Sequence, residues 1–446
     1  MKTKKLCSLL LASALVLGTL AGCGGAPATS TAEKPAEESA AAPAGTTDQK
    51  KSDAKLNIWV YGWEKASADK ITEDTKKYKE ATGVEVTVTP IASDSYSTKI
   101  QATIAGGNNP DLAFVDAGVQ STQLAAKGKL LGLNQFGAEE HKSKFYESVW
   151  DTMTYKDDVY GLRITSNNLA LFYNKDMFKE AGLAEPTATW TWDDLRSAAK
   201  TLTNPEKNVF GLDLPIYDKK GGYAWTWLPF LWQSGGELLS EDRTQAVFNS
   251  EEGVKSLKFW KDMAQIDKSV PLQAGPAGVN RFTSGITAMT VDGPWNLNPF
   301  LADPNFKDKF GVVPLPKGEK QATVVGGEGV VAFSNTKYPQ EAYDYMVHLT
   351  CSDFTEVFWQ NWITIPPQPA YKDFYAKDEL YGKYLQVFSD QMSVSRTRPF
   401  TPSWPQLEDT LGIDLQGYMF NKTDDAKASL DKAAEDVNKI LAEEKK

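Results

Sequence analysis

A chain of 446 residues exceeds what one ordinary hydrophobic core organises, so two lobes are expected. Its net charge of -10 argues against the basic tracks that nucleic acid requires, and equally against a basic membrane-binding face. With two histidines and three cysteines (Cys7, Cys23 and Cys351), no zinc spacing, His-based catalytic or metal site, or structural disulfide is expected.

The chain opens with a basic stretch, Lys2, Lys4 and Lys5, followed by an apolar run from Leu6 to Leu20. That run is too short for a comfortable membrane span and reads as a secretory leader, residues 1–22. It ends in Leu20-Ala21-Gly22-Cys23, which resembles the bacterial lipobox. The resemblance implies that Cys23 is diacylated, becomes the new N-terminus, and anchors the protein on the extracytoplasmic face of the cell membrane. Gly24 to Ala54 holds no Val, Ile, Leu, Met or aromatic residue. It cannot bury apolar surface to offset its entropy, so 23–54 is expected to be a lipidated, disordered leash. Its reach is roughly 30 Å on average.

The folded part is expected from residue 55. Lys55 to Val60 alternates as a first strand, with Tyr61, Trp63 and Glu64 in the loop beyond it. A helix is predicted from Ala66 to Thr82, a strand over Val84–Val88 and a helix over Tyr96–Ala105. A buried strand follows, Pro110 to Asp116. Strands alternating with helices predict an open α/β sheet with parallel strands. Ligands of such sheets bind beyond the carboxyl ends of the strands, where Tyr61, Trp63, Glu64 and Asp116 fall.

A second run of elements starts near Tyr160. Asn167 to Lys175 reads as a strand, and Thr191 as the N-cap of a helix with Asp193 and Asp194 in its first turn. Tyr223 to Gly236 is dense in aromatics, including Trp225 and Trp227. Ile286 to Val291 reads as a buried strand running into Asp292-Gly293-Pro294-Trp295, which throws out one large ring. That ring is either a core plug or a ligand platform. Strands are predicted at Phe310–Pro316 and, broken by glycines, at Val324–Phe333; from Pro339 the chain reads as mostly helical.

Five blocks in this order resemble the family 1 extracellular solute-binding proteins. They are Asn167–Leu183, Thr189–Thr203, Phe282–Trp295, Phe310–Lys317 and Gly326–Ser334. The resemblance covers essentially all of Leu56 to Lys446. It implies a periplasmic-binding-protein-like α/β fold, in which two lobes with mixed and parallel sheets are joined by a hinge and the ligand lies in the interlobe cleft. One lobe is expected to hold residues 55–165 with about 335–381, the other 169–330 with about 385–446.

A pyranose has an apolar C–H face and a rim of hydroxyls, so aromatic rings and planar polar groups suit it. Trp295 matches a sugar-stacking position of the family, and Trp404 falls near another. At least one of Trp225 and Trp227 is expected to face the cleft. Tyr61 and Trp63 make the first loop more aromatic than the family's, and Glu64 and Asp116 offer carboxylates to hydroxyls. Asn167 aligns with a family glutamate at the lobe crossing. Glu328 sits among Gly326, Gly327 and Gly329, where a backbone can approach a ligand. Trp362 is a candidate lid residue. Arg396 is expected at the cleft, and Arg398 reads better as a surface charge.

The resemblance implies a monomeric, non-enzymatic receptor without cofactor or metal. It would hand a carbohydrate, by the number of aromatics an oligosaccharide, to the permease subunits of an ABC importer. Receptors for a glycerophosphodiester, a metal complex or a polyamine are the alternatives. A glycoside hydrolase would need a suitably spaced carboxylate pair, for which Asp116, Glu328, Asp292 and Glu64 supply acids.

Overall fold

The computed structural model describes residues 51–61, 65–217 and 222–444. The leader, the linker up to residue 50, Cys23, Trp63 and Glu64 lie outside the described residues. From Lys51 onward the chain forms one compact unit. Folded structure begins slightly before residue 55: the Ser52 amide donates to the Thr82 carbonyl at 2.9 Å, and Ala54 is buried.

The strands are β1 (Lys55–Tyr61), β2 (Glu85–Ile91), β3 (Leu112–Asp116), β4 (Thr154–Tyr155), β5 (Asp158–Val159), β6 (Leu162–Arg163) and β7 (Asn167–Asn168). They continue with β8 (Ala170–Asn174), β9 (Met289–Asp292), β10 (Phe310–Pro314), β11 (Thr323–Gly326), β12 (Glu328–Ala332) and β13 (Ser395–Thr397). The first sheet runs β2-β1-β3-β12-β6. Its three N-terminal strands are parallel, because helices Lys65–Thr82 and Ser93–Gly106 carry the chain back between them. β12 then joins antiparallel between β3 and β6, pairing Glu328 with Asp116. The sheet is therefore mixed. β4 and β5 form a small antiparallel hairpin.

The other half is built on two three-stranded sheets, β10-β8-β9 and β13-β11-β7. In the first, β8 is antiparallel to both neighbours, and its residues are all buried. Asn174 ends this strand and caps the next helix, accepting from the Met177 amide at 3.1 Å. Thr191 forms a full capping box with Asp194, whose carboxylate accepts from the Thr191 amide at 2.8 Å. The aromatic-dense stretch is the helix Gly222–Gln233. Trp227, Phe230, Trp260 and Trp404 share one core, and Phe172, Phe300 and Phe310 belong to a second. Each such ring contributes about 1.5–3 kcal/mol by burial.

Three segments run side by side where the halves meet. The chain passes from β6 to β7 through residues 164–166, and from β11 to β12 at Gly327. The Ile164 amide donates to the Glu328 carbonyl at 2.9 Å, and Ser166 exchanges two backbone bonds of 2.8 Å with Ile365. Gly327 has φ of 124°, and a Cβ there would collide with the Thr165 carbonyl, so only glycine fits. The change of sheet falls here and not at residue 330: Glu328, Gly329 and Val330 pair with the first sheet. Helix Pro339–Cys351 packs on β12 and β6, whereas helix Gly382–Asp390 packs on β10.

Candidate binding site

Beside the crossing lies a cavity of about 420 Å³. Its walls are Asn167, Pro294, Trp295, Asn298, Glu328, Trp362 and Thr364. These residues come from both halves and from the crossing itself. Gly293-Pro294 ends β9 and starts a short 3-10 turn that projects Trp295 outward, 46% exposed. Asp292 holds this turn. Its carboxylate accepts from the Gly293 amide at 2.8 Å and from the Asn296 side chain at 2.6 Å, and it bonds the Trp295 indole. Burial pushes the Asp292 carboxyl up to about 7, against the pull of these bonds. Trp362 is buried, edge-on to Phe114 and Phe358, and presents what remains of its ring to the cavity.

The polar side of the site rests on Arg163, which is 1% exposed. Its guanidinium donates to the Gly326 carbonyl at 2.6 Å, the Thr165 carbonyl at 2.9 Å and the Thr152 hydroxyl at 3.1 Å. Burial pulls its pKa down to about 10, opposed by Glu328 and Asp116, so it stays charged at neutral pH. Glu328 accepts from the Thr165 hydroxyl, and its own amide donates back to that oxygen at 2.9 Å. Burial raises the Glu328 carboxyl above the usual range.

The sequence-predicted residues separate into groups. Asn167, Trp295, Glu328 and Trp362 share the cavity just described. Trp225 is half-buried and lines a neighbouring cavity of about 470 Å³, which also has Trp295 in its wall. Asp116 lies at the end of β3, directly across the ladder from Glu328. Tyr61 stacks on Tyr96 with ring centres 3.9 Å apart and lines neither cavity.

Three expectations are corrected. Trp404 is fully buried in the aromatic core, so it is a plug and not a platform; Trp227 is buried there too, which leaves Trp225 as the one of that pair beside the cleft. Arg396 is not at the cleft: it pairs with Glu237 at 2.6 Å, lies over Trp232 and lines a separate cavity of about 210 Å³. The arginine that does reach the strand ends is Arg398, which had read as a surface charge. It is 7% exposed, donates to Asp116 at 2.9 Å and stacks 4.6 Å from the Trp225 ring centre.

Asn298 and Thr364 also line the cavity and were not singled out beforehand. Asn298 carried a faint signal, standing three residues after Trp295 among polar neighbours. Thr364 carried none, since only the fold brings it beside Asn167.

Sheets on either side of a triple crossing, with aromatic and polar groups converging there, define a cleft-type binding protein of two α/β lobes. The chain belongs to the bacterial extracellular solute-binding protein family, whose sequence pattern matches residues 59–351. It is 24% identical over 404 residues to an arabinooligosaccharide-binding protein of Bacillus subtilis (strain 168), covering 87% of this chain and 86% of that one. A Thermotoga lettingae TMO ABC transporter solute-binding protein bound with α-D-tagatose is 28% identical, with a TM-score of 0.74 over 87% of this chain and 100% of that one. A Listeria monocytogenes ABC substrate-binding protein in complex with cycloalternan is 22% identical, with a TM-score of 0.76 over 87% of this chain and 99% of that one. The family and these relatives are binding proteins.

Proposed function

We propose that this protein is an extracytoplasmic receptor that captures a carbohydrate, in particular an oligosaccharide, and delivers it to an ABC importer. The observation that carries this reading is the lining of the cavity at the crossing. An exposed indole and a second tryptophan stand against Asn167, Asn298, Thr364 and Glu328. An apolar ring face beside amide, hydroxyl and carboxylate groups matches the two surfaces of a pyranose. The named ligands of the relatives, arabinooligosaccharide, tagatose and cycloalternan, support the same class.

In this reading the lobes part at residues 164–166 and Gly327, and close on the sugar as a hinge. The first lobe takes the sheet that includes β12, and the second takes the sheets of β8 and β11. The protein acts as a monomer without catalysis, held at the membrane by an acyl (palmitate) chain on Cys23.

A thermal-shift screen across saccharides, glycerophosphodiesters and polyamines tests the ligand class. Stabilisation by a saccharide is expected; stabilisation by the other solutes alone overturns the reading. Incubation with oligosaccharides should leave them intact, and released products would make it an enzyme. Labelling cells with an alkyne analogue of palmitate should mark the wild type and not Cys23→Ser.

A further inference from the structure

Away from both cavities, the two halves touch a second time. The loop that follows β3 is pinned from its own side. The Gly118 amide donates to the Ser121 hydroxyl at 2.8 Å, and that hydroxyl donates to the Thr152 carbonyl at 3.2 Å. Gly118 has φ of 83°, and a Cβ there would stand 1.8 Å from the Phe400 ring. Only glycine gives both the turn and the seat for that ring. Phe400 comes from the other half, three residues beyond β13, and is buried in this seat.

The contact has four further parts. Arg398 donates to Asp116 at 2.9 Å. Arg243 donates to the Phe400 carbonyl at 3.2 Å and stands 5.7 Å from its ring centre. Val119 is buried in the core of Trp227 and Trp404, although Val115 and Ala117 just before it belong to a core of the first sheet. Helix Glu147–Trp150 packs on β13. Gly118, Val119, Phe400, Arg398, Asp116 and Arg243 line neither cavity of the candidate site.

We propose that this contact is a latch: Phe400 seated on Gly118, with Arg398 on Asp116 beside it, holds the two lobes together before any solute is bound. This rests on the two-lobe hinge reading above and not on the identity of the solute. The crossing at residues 164–166 and Gly327 is continuous chain, so it survives any hinge angle. The latch joins residues 282 apart in sequence through side chains alone, so it must part when the lobes do. Every group in it already has a protein partner, and a solute is not needed to complete it. The ring is its main element, because the Asp116 side chain is 40% exposed and water screens the ion pair. A receptor held shut in this way spends none of its binding free energy on gathering the lobes, and freeing them lowers apparent affinity by the fraction that stays shut.

Spin labels at Lys127→Cys and Glu241→Cys, an exposed position in each lobe, measure the separation by pulsed electron resonance. The full chain carries Cys7→Ser, Cys23→Ser and Cys351→Ser so that no other thiol is labelled. With the latch intact, one short distance is expected, unchanged by maltotetraose or arabinotetraose. Phe400→Ala and Gly118→Val should each add a longer distance in the solute-free protein. Whichever saccharide binds should restore the short one, with a calorimetric affinity about tenfold lower, as when about a tenth of the molecules stay shut. The two replacements act from opposite lobes, so either alone carries the test should the other fail to fold. A long distance in the solute-free parent, or variants that keep the parent's distance, overturns the latch. Opening in the variants that neither saccharide reverses leaves the latch standing and overturns the oligosaccharide reading for these sugars.

Discussion

The two halves bring different chemistry to the same cleft. The first sheet brings charge: Asp116 and Glu328 face each other across β3 and β12, with Arg163 buried beneath. The second half brings rings: Trp295 on its turn and Trp225 on its helix. The charged groups are already spoken for, Glu328 by Thr165 and Asp116 by Arg398. Trp295 is the most open large side chain of the first cavity. On the function proposed above, the difference teaches that the charge holds the cleft in shape, and that the rings would supply most of the contact with a ligand.

This division can be broken from either side. Arg163→Met should be the most damaging change. It leaves the Thr165 and Gly326 carbonyls without their buried donor and Glu328 without its neighbouring positive charge, at a cost of about 3–5 kcal/mol in denaturant unfolding. Full stability in that variant would mean the charged side is not structural. Trp295→Ala should do the reverse. Ligand affinity should fall by about 2 kcal/mol, roughly 30-fold, while unfolding shifts by less than about 1 kcal/mol. An unfolded Trp295 variant would return that ring to the core.

A third change sharpens the charged side through pH. Glu408 stands near Arg398 and Asp116, and burial pushes its carboxyl up to about 7 despite the arginine. An unfolded glutamate titrates near about 4.3, so between these values the folded state holds the extra proton. Stability from this group is present at low pH and falls as pH rises from about 4 through about 7. Glu408→Gln should flatten that decline and gain about 1–2 kcal/mol at pH about 8, read as melting temperature across the range. A decline as steep as in the wild type would assign it to Asp292, which is raised similarly to about 7.

How much of this was legible in the sequence depended on whether a local period carried the information. The parallel order of β1, β2 and β3 follows from strand–helix alternation, and the exposure of Trp295 from a Gly-Pro turn with polar neighbours. Trp225 and Trp227 show the limit. Two residues apart on a helix they point about 200° from each other, so only one can face the cleft, but the pattern does not say which. Trp404 opens a helix whose buried face is set by contacts far away in the chain, and nothing local marks it as core. The pairing of Asp213 with Arg281 spans 68 residues and has no signature in either segment. The antiparallel entry of β12 was hidden in the same way, because the glycine run that breaks the strand does not state which sheet receives its second half.

Arg396 and Arg398 carry the comparison to its smallest scale. Residues two apart share a face only while a strand continues, and β13 stops at Thr397 before Pro399. The two guanidiniums therefore part company. Arg398 turns inward between Asp116 and Trp225; Arg398→Met should cost about 1 kcal/mol of ligand affinity, held to that size because the Asp116 side chain is 40% exposed and water can replace its partner. Arg396 turns outward to Glu237, with side chains 42% and 50% exposed. An exposed pair of this kind contributes about 0–0.5 kcal/mol after solvent screening and side-chain entropy. Arg396→Ala should therefore leave both the melting temperature and the calorimetric affinity unchanged within error. A loss of affinity as large as that of Arg398→Met would mean that the outward face also meets the ligand, and the boundary drawn here between holding and contacting would have to move.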